Sequence, residues 1–483
     1  MNKRSWCAAA AALALVALLA PAAHAVSPEL AQKLYDQAAP SLVAVQFTWE
    51  HELGRRELTG AGVVVRDDGL VMAPLSVFDP RIPDEQMKDF KVLVAHQDRD
   101  TEELDATFLG RDERSGVAFL MPKPGEGKGE GTGGGEKSPP SSSKREWKPI
   151  KFEEAPVRIG EPVYSVGVLP EMANYKPYFM EAAVSATLRG ETPQVLVDGG
   201  LAAVGSPVFN GEGKAVGVVA WQPGQPVFLN DPQNALAAVT TPPRFYVPTR
   251  DFQQGLSDPP KAGEPQRLPW LGVTQMQGVN KDVAEVFGLT NQPAVQIGDV
   301  IEGGPGDKAG LREGHIVVKL NGKPLERGDE PDELPQILSR QLRRMKVGDT
   351  VTMSVMTGRD QPMKDFTVTL AEMPPRPNTA RRWYAEDLGF SVREMVFMDA
   401  YQRRLGPEAK GVVVSLIRPQ SAAQSGRLRN NDLITELNRE PVTDLDQFRK
   451  AYESFRKENP REAVVMVVQR EGNTEVIRIE PPQ

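Results

Sequence analysis

Short apolar runs separated by glycine and proline turns dominate the first half of the chain. Runs of this length that are rich in Val, Leu and Phe and that end at turn residues predict β-strands. Helical periodicity is confined to residues 29–38, so the pattern predicts one all-β unit between about residues 28 and 252. The clearest strand candidates are residues 42–47, 63–65, 92–94, 163–168 and 215–219.

The second half contains an internal repeat. The segment AGLREGHIVVKLNGKPL at 309–325 recurs as SGRLRNNDLITELNREPV at 425–442, with an offset of 117 residues between Asn321 and Asn438. Each copy is typical of a turn, an apolar strand and a second short strand, followed by a helix at 333–345 or 444–457. A period this long predicts two tandem α+β domains rather than a solenoid.

Two segments have the composition of linkers. Residues 123–148 are rich in Gly, Ser, Pro and charged residues, and 257–267 repeat this composition on a smaller scale. Such segments bury too little apolar surface to offset the entropy of ordering them. The first is predicted to be a flexible insert, with a docking site as the alternative. The predicted domains are therefore 26–256, 268–373 and 374–483.

The first 25 residues are typical of a secretory signal peptide. Lys3 and Arg4 provide a basic start, residues 8–19 are apolar, and Ala23-His24-Ala25 fits a cleavage site. The apolar stretch falls short of the ~20 residues that span a bilayer. Export to the periplasm or cell envelope, or out of the cell, is expected, with no integral membrane segment after cleavage. An uncleaved anchor is the alternative.

Composition excludes several classes of function. The formal charge is −8, becoming −10 without Lys3 and Arg4, and no basic cluster of the kind that binds nucleic acid is present. The chain has one cysteine, Cys7, which cleavage would remove, so disulfides are not expected. No His, Cys or acidic residues have the spacing of metal ligands, and no metal or cofactor is expected.

Three segments of the β unit are similar to motifs of the HtrA (DegP-like) family of serine proteases. Segment 60–77 (GAGVVVRDDGLVMAPLSV) resembles the Gly-Ser-Gly strand and the strand ending in Thr-Asn-x-His-Val. Segment 110–120 (GRDERSGVAFL) resembles Asp-Leu-Ala-hydrophobic-Leu, and 202–210 (AAVGSPVFN) resembles Gly-Asn-Ser-Gly-Gly-Pro. The resemblance implies a mainly β fold: a trypsin-like double β-barrel of two six-stranded barrels.

The resemblance also locates the family's catalytic triad, which is degenerate here. Ser76 stands in the histidine position, Gly116 in the aspartate position and Val204 in the serine position. Acyl transfer needs a nucleophile, a base and a group that orients the base. None of the three positions holds the residue type that its role requires. The loop from Asp198 to Pro207 is two residues shorter than in the family. A pseudoprotease without catalytic residues is therefore expected.

Histidines elsewhere offer no obvious substitute base. His51, His96 and His315 are the histidines outside the signal segment, and their settings are typical of surface or structural residues. Two alternatives to the pseudoprotease remain open. One is an active HtrA-type serine endopeptidase in envelope protein quality control, and the other is a structural adaptor.

The repeat resembles the two PDZ domains at the C-terminus of HtrA proteins. The resemblance implies binding of protein C-termini or unfolded segments, with loop amides holding the peptide carboxylate. In the second copy Asp387 places an acid beside the expected anion site. The alternative for both copies is that the loop only turns the chain. The expected peptide-binding residues are Trp270, Leu271, Gly272 and Val273 in the first copy, and Leu388, Gly389 and Phe390 in the second.

HtrA proteins commonly form trimers through the N-terminal end of the barrel, so a homo-oligomer is also implied. Leu34, Tyr35 and Trp49 are candidates for such an interface, although core packing accounts for them equally well.

Overall fold

The computed structural model describes residues 26–52, 54–96, 100–124, 145–190, 192–231, 240–264, 266–290, 292–359, 361–406 and 408–482. The predicted signal peptide and residues 125–144 of the predicted flexible insert lie outside this range.

The first barrel follows an N-terminal helix. Helix α1 (Pro28–Ala38) begins at Ser27, whose Oγ accepts a hydrogen bond from the Leu30 N–H at 3.2 Å. Six antiparallel strands then close a barrel in the order β1-β2-β3-β6-β5-β4. The strands are β1 (Leu42–His51), β2 (Gly54–Val64), β3 (Val71–Pro74), β4 (Met87–Val94), β5 (Glu102–Asp112) and β6 (Val117–Pro122).

Alternation of side chains along β1 builds two cores at once. Val45 and Phe47 point into the first barrel, where Phe47 stacks on Phe78 with ring centroids 5.1 Å apart. Leu42 and Ala44 point the other way, into a cluster shared with α1 and the second barrel. Leu34 of α1 is fully buried in that shared cluster.

The second barrel repeats the architecture in the order β10-β11-β12-β9-β8-β7. Helix α2 (Thr249–Ser257) follows it, and Phe252 of this helix packs in the shared cluster. The strands are β7 (Pro162–Val168), β8 (Pro177–Leu188), β9 (Gln194–Val197), β10 (Pro207–Asn210), β11 (Ala215–Val219) and β12 (Phe245–Pro248).

The first C-terminal domain (268–373) is a sheet in the order β14-β15-β16-β18-β19, with β17 beside β16 and a separate pair formed by β13 and β20. Its helices are α3 (Lys281–Val286), α4 (Pro305–Lys308) and α5 (Leu334–Arg343). Its strands are β13 (Pro269–Trp270), β14 (Met276–Gly278), β15 (Val295–Ile297), β16 (Ile316–Leu320), β17 (Lys323–Pro324), β18 (Thr350–Met356), β19 (Lys364–Thr369) and β20 (Ala371–Glu372).

The second C-terminal domain (374–482) has the strand order β21-β22-β23-β24-β26-β27, with β25 beside β24. Its helices are α6 (Phe397–Gln402), α7 (Ala422–Ser425) and α8 (Leu445–Glu458). Its strands are β21 (Arg382–Ala385), β22 (Phe390–Glu394), β23 (Val412–Ile417), β24 (Leu433–Leu437), β25 (Glu440–Pro441), β26 (Val464–Arg470) and β27 (Asn473–Ile479).

The mainly β fold with two six-stranded barrels is confirmed, and each predicted helix is present within a few residues of its expected limits. The helix expected at 333–345 covers Leu334–Arg343 after a 3₁₀ turn at Pro331–Glu333. The helix expected at 444–457 covers Leu445–Glu458, because Asp444 caps it by accepting the Gln447 N–H at 2.9 Å.

Candidate functional site

The backbone brings together, where the two barrels meet, the three positions that the sequence comparison assigned to the triad. Ser76 follows β3, and the adjacent Leu75 N–H donates to the carbonyl oxygen of Gly116 at 3.0 Å. Val204 precedes β10, and a Cβ added to the adjacent Gly205 would lie 2.7 Å from the ring of Pro74. Sequence reasoning therefore identified three positions that are close in space.

Their side chains do not form a proton relay. The Ser76 hydroxyl is buried and has no hydrogen-bond partner within the described ranges. Gly116 is exposed at φ 68°, and a Cβ added there would meet no atom within 4 Å. Val204 is a 3 % exposed core residue.

The histidines contact other groups. His51 packs against Trp49 with ring centroids 4.4 Å apart and a tilt of 39°, and His96 Nε2 lies 3.0 Å from the Glu102 carboxylate. His315 belongs to the first C-terminal domain, where its Nδ1 accepts the Arg312 N–H at 3.2 Å.

Three amides of the loop before β10 form hydrogen bonds within the chain. The Ala202 N–H, two residues before Val204, donates to the Ser165 hydroxyl at 2.8 Å in a fully buried bond. The Gly205 N–H donates to Val219 at 2.9 Å, and the Ser206 N–H donates to Ala203 at 3.0 Å. An oxyanion hole needs loop N–H groups directed at the substrate, whereas these three bind the chain itself.

The same region contains a buried phenol. Tyr178 lies beside the Ala203 backbone, and burial raises the pKa of its hydroxyl to about 12. This group therefore stays protonated near neutral pH and cannot act as a base.

A segment of the second barrel crosses to the first barrel beside this region. We call residues 227–231 the strap. The Leu229 N–H donates to the Thr59 carbonyl at 2.6 Å, and Asn230 Oδ1 accepts the Thr59 N–H at 3.1 Å. Thr59 is fully buried, and a Cβ on the next residue, Gly60, would lie 2.3 Å from the Val77 side chain. The strap thus covers the edge of β2 next to the segment that carries Ser76.

In the first C-terminal domain, the expected carboxylate loop turns at Gly272, which has φ 77°. The carbonyls of Leu271 and Gly272 accept the N–H groups of Gly306 and Ile301, each at 2.9 Å. Val273 lies opposite Val300 in an isolated antiparallel β-bridge. The hydrogen bonds of this bridge are made by the residues on either side of the pair, so the N–H and carbonyl of Val273 point away from Val300. This loop therefore presents backbone groups to the side on which α5 lies.

The groove of this domain lies between the 273–278 segment and α5. On the helix side, Leu334, Ile337 and Leu338 are buried in the core of the domain. At its far end the walls touch, because a Cβ on Gly278 would lie only 1.7 Å from the Pro331 carbonyl oxygen. Within the described residues, β14 has no neighbouring strand on this outer edge.

In the second C-terminal domain, the corresponding edge is covered. Strand β21 pairs with β22 along its whole length, from Arg382 opposite Arg393 to Ala385 opposite Phe390. Asp387 is not an unpaired acid, since its carboxylate accepts the Tyr452 hydroxyl and the Arg456 Nε–H, each at 2.7 Å. The positions expected to bind peptide in this copy, Leu388 and Gly389, are buried.

Charged contacts connect the C-terminal domains to the barrels. Arg340 of α5 donates to the Gly190 carbonyl at 2.8 Å, and Arg344 pairs with Asp251 of α2 at 2.7 Å. Near the second domain, Arg376 binds both carboxylate oxygens of Glu113 at 2.5 and 2.7 Å. The helix wall of the first groove is therefore also a contact surface of the second barrel.

The described part of the chain has neither a metal-binding cluster nor a membrane-spanning helix. No group of three or more His, Cys, Asp or Glu side chains is arranged to hold a metal ion there. None of its helices is long and apolar enough to span a membrane. The trimer candidates all have partners within the chain: Leu34 is in the core, the Tyr35 hydroxyl donates to the Pro177 carbonyl at 3.4 Å, and Trp49 donates to Gln86 at 3.0 Å.

Comparison with known families agrees with this architecture. A family model described as "Trypsin-like peptidase domain" matches residues 60–218, and one described as "PDZ domain" matches residues 296–347. The class of protein is thus a trypsin-like double barrel joined to a PDZ domain, with a further sheet domain after it.

Curated relatives cover most of the chain. A protein of Ectopseudomonas mendocina (strain ymp) named "Probable periplasmic serine endoprotease DegP-like" is 27 % identical over 86 % of this chain and 78 % of its own length. A protein of the same name from Rhizobium meliloti (strain 1021) is 24 % identical over 87 % of this chain and 75 % of its own length.

Solved structures show the same fold. The structure of "HtrA-type protease AlgW with decapeptide" has a TM-score of 0.50 and 16 % identity, covering 71 % of this chain and 99 % of that one. The family models and the DegP-like relatives show that the chain is similar to DegP-like proteins over most of its length, and the solved structure shows the same fold.

Sequence reasoning missed two features of the site. The strap at 227–231 was not predicted, because a segment containing Pro226 and Asn230 is typical of an ordinary loop. The pairing of β21 with β22 was also missed, because strand character at 382–385 does not say which strand is the partner.

Proposed function

We propose that the chain is an exported HtrA-like pseudoprotease that binds protein C-termini or unfolded segments through PDZ domains, in a regulatory, scaffold or chaperone role. The observation that carries the proposal is the state of the triad region. A valine occupies the nucleophile position, an exposed glycine occupies the aspartate position, and the Ala202 N–H is bonded to Ser165.

Binding rather than chemistry then remains as the function that this architecture supports. The loop at Leu271–Val273 and the strand edge to Gly278 have the arrangement that PDZ domains use to add a peptide strand to a sheet. The buried face of α5 supplies the apolar wall for the last side chain of the peptide. The names of the DegP-like relatives favour a periplasmic location.

The first experiment tests for catalysis. Purified mature protein is incubated with fluorescent casein and separately with a fluorophosphonate probe. Neither hydrolysis nor labelling is expected, since Val204 has no nucleophile and the Ser76 and Ser206 hydroxyls have no hydrogen-bond partner within the described ranges. Stoichiometric labelling of one serine, abolished by its substitution, would establish the alternative of an active serine endopeptidase.

The second experiment tests for binding. Calorimetry compares peptides that end in an apolar residue and carry either a free carboxylate or a C-terminal amide. We expect micromolar affinity, about −8 kcal/mol, for the free carboxylate. The amide should bind at least about tenfold more weakly, because it loses a charge-assisted hydrogen bond.

A backbone variant serves as control. Val273→Pro removes an N–H that faces the groove while leaving the bonds of its neighbours Gly272 and Thr274 to the sheet. Its binding should be lost while its thermal unfolding stays close to that of the parent. Equal affinity of the two peptides would instead favour a structural adaptor whose loops only turn the chain.

A further inference from the structure

The outer edge of the second C-terminal sheet is occupied by the chain itself. A peptide bound to a PDZ domain adds a strand to the sheet at the edge that faces the helix. In the first domain the chain enters the loop through β13, which pairs with β20. In the second domain the corresponding segment, β21, pairs with β22 and lies where a bound peptide would lie.

The direction of β21 is also that of a bound peptide. It runs antiparallel to β22, and its C-terminal end, Ala385, reaches the expected carboxylate loop. There the Gly389 N–H donates to the Ala385 carbonyl oxygen at 2.8 Å. A loop amide that would hold a ligand carboxylate thus holds the end of this strand.

Side chains fix β21 against the helix. The Trp383 ring lies 5.9 Å from that of Phe448 and 5.1 Å from that of Tyr452, both on α8. Just before the strand, Arg381 forms ion pairs with Glu394 of β22 and, at 3.0 Å, with Asp446 of α8. The strand therefore bridges both walls of the groove.

An anion also occupies the end of the groove. The Asp387 carboxylate is held there by Tyr452 and Arg456, next to Ala385, and these residues line an open cleft of about 560 Å³. Burial, together with the hydrogen bond to Asp387, raises the pKa of Tyr452, so its hydroxyl remains a donor. The chain supplies its own strand, its own aromatic anchor and its own carboxylate.

We infer that β21 is an internal ligand of the second PDZ-like groove, and that the groove accepts external peptides of the same chemistry in its place. Trp383 and Ala385 lie on one face of the strand, and Ala385 is 1 % exposed. The external class is therefore an extended chain terminus with a small apolar last residue and an aromatic residue two positions before it. This site is separate from the first groove and does not depend on loss of catalysis.

The test uses the full mature chain and hydrogen–deuterium exchange of β22. The Glu394 N–H donates to the Arg381 carbonyl at 3.0 Å, so it reports directly on whether β21 is in place. The probe is the peptide Ala-Arg-Arg-Trp-Tyr-Ala with a free carboxylate, which reproduces residues 380–385. Protection in the 273–278 segment is read in the same experiment and reports on the first groove.

Three proteins are compared. In the parent, β22 should be protected and excess peptide should change nothing. In Trp383→Ala, which removes the anchor, β22 should exchange at least about tenfold faster, and the peptide should restore protection. Trp383→Phe keeps an aromatic ring at the site and should behave as the parent does.

A milder variant covers the case in which Trp383→Ala fails to fold. Arg381→Ala removes two ion pairs from a side chain that is 47 % exposed, so the fold should persist while β22 exchanges a few times faster. The inference is overturned if β22 of the parent exchanges as fast as in these variants. It is also overturned if the peptide protects β22 in neither folded variant, even when the first groove binds normally.

Discussion

Restoring the triad residues should not restore a protease. The variant combines Ser76→His, Gly116→Asp and Val204→Ser, which returns the three family residues to positions that already lie together. If the barrels only lack these side chains, the variant should hydrolyse casein. We expect no detectable turnover, because the surroundings of the three positions have also changed.

The magnitude follows from two contacts. The Ala202 N–H is bonded to Ser165 at 2.8 Å, and loss of one oxyanion donor costs about 10²–10³-fold in kcat. A carboxylate at Gly116 would extend from an exposed backbone with no atom within 4 Å of its Cβ. It would not orient a histidine, which costs about 10⁴-fold in serine proteases. Both losses together reduce a typical kcat of about 10 s⁻¹ to roughly 10⁻⁵–10⁻⁶ s⁻¹.

The assay is release of fluorescence from labelled casein over a day, together with labelling by a fluorophosphonate probe. The matched control replaces Val204→Ser by Val204→Ala on the same background, so that contaminating proteases appear equally in both samples. Turnover above about 10⁻² s⁻¹ that is present only with the serine would refute the reasoning. It would mean that the loop before β10 rearranges readily when a nucleophile is present.

Two further outcomes concern the first C-terminal domain. Burial and two neighbouring cations lower the pKa of His315 from 6.5, so the stability that its neutral form contributes is present above pH 6.5 and lost as the pH falls through the folded-state pKa. His315→Asp should remove this loss of stability at low pH. In the second copy the equivalent residue is Asp432, whose carboxylate accepts the equivalent N–H at 2.8 Å, so an aspartate can make the same hydrogen bond. Thermal unfolding at pH 5 and pH 7.5 measures the difference. Gly278→Ala should destabilise the first C-terminal domain by about 1–3 kcal/mol, because the added methyl group overpacks against Pro331. The control is Gly406→Ala in the second C-terminal domain, where the methyl group meets open space and the melting temperature should change little. Equal melting temperatures for the two variants would contradict this prediction.

The barrel strands and the two long C-terminal helices were predictable because their signals are local. The apolar run 163–168 lies in β7 (Pro162–Val168), and Asp444 marks the start of α8 in the sequence itself. The proximity of Ser76, Gly116 and Val204 was predictable because they lie within segments that resemble family motifs. In each case the information is contained in a dozen neighbouring residues.

The remaining features depend on partners that are distant in sequence. The Ala202 N–H is bonded to a hydroxyl 37 residues earlier in the chain. Trp383 contacts Phe448 and Tyr452 more than sixty residues later, and these contacts place β21 beside β22. In the sequence, Asp387 is an acid beside an expected anion site with no cation next to it. Its partner, Arg456, lies on α8, and the sequence does not show that this helix packs beside the loop.

Glu52, which follows β1, contacts the second C-terminal domain at β21 and β22, the two strands at the second groove. Its carboxylate accepts the Ser391 hydroxyl at 3.2 Å and lies 4.0 Å from the Arg382 guanidinium of β21. Any peptide that displaces β21 must therefore also disturb a contact of the first barrel. The coupling between two binding events is reciprocal. If a peptide in the groove changes the affinity of the β1–β2 hairpin for a partner, that partner changes the affinity of the groove for the peptide by the same factor. The first barrel would then have a role that needs no catalysis: it would set how easily an external peptide replaces β21 in the second groove.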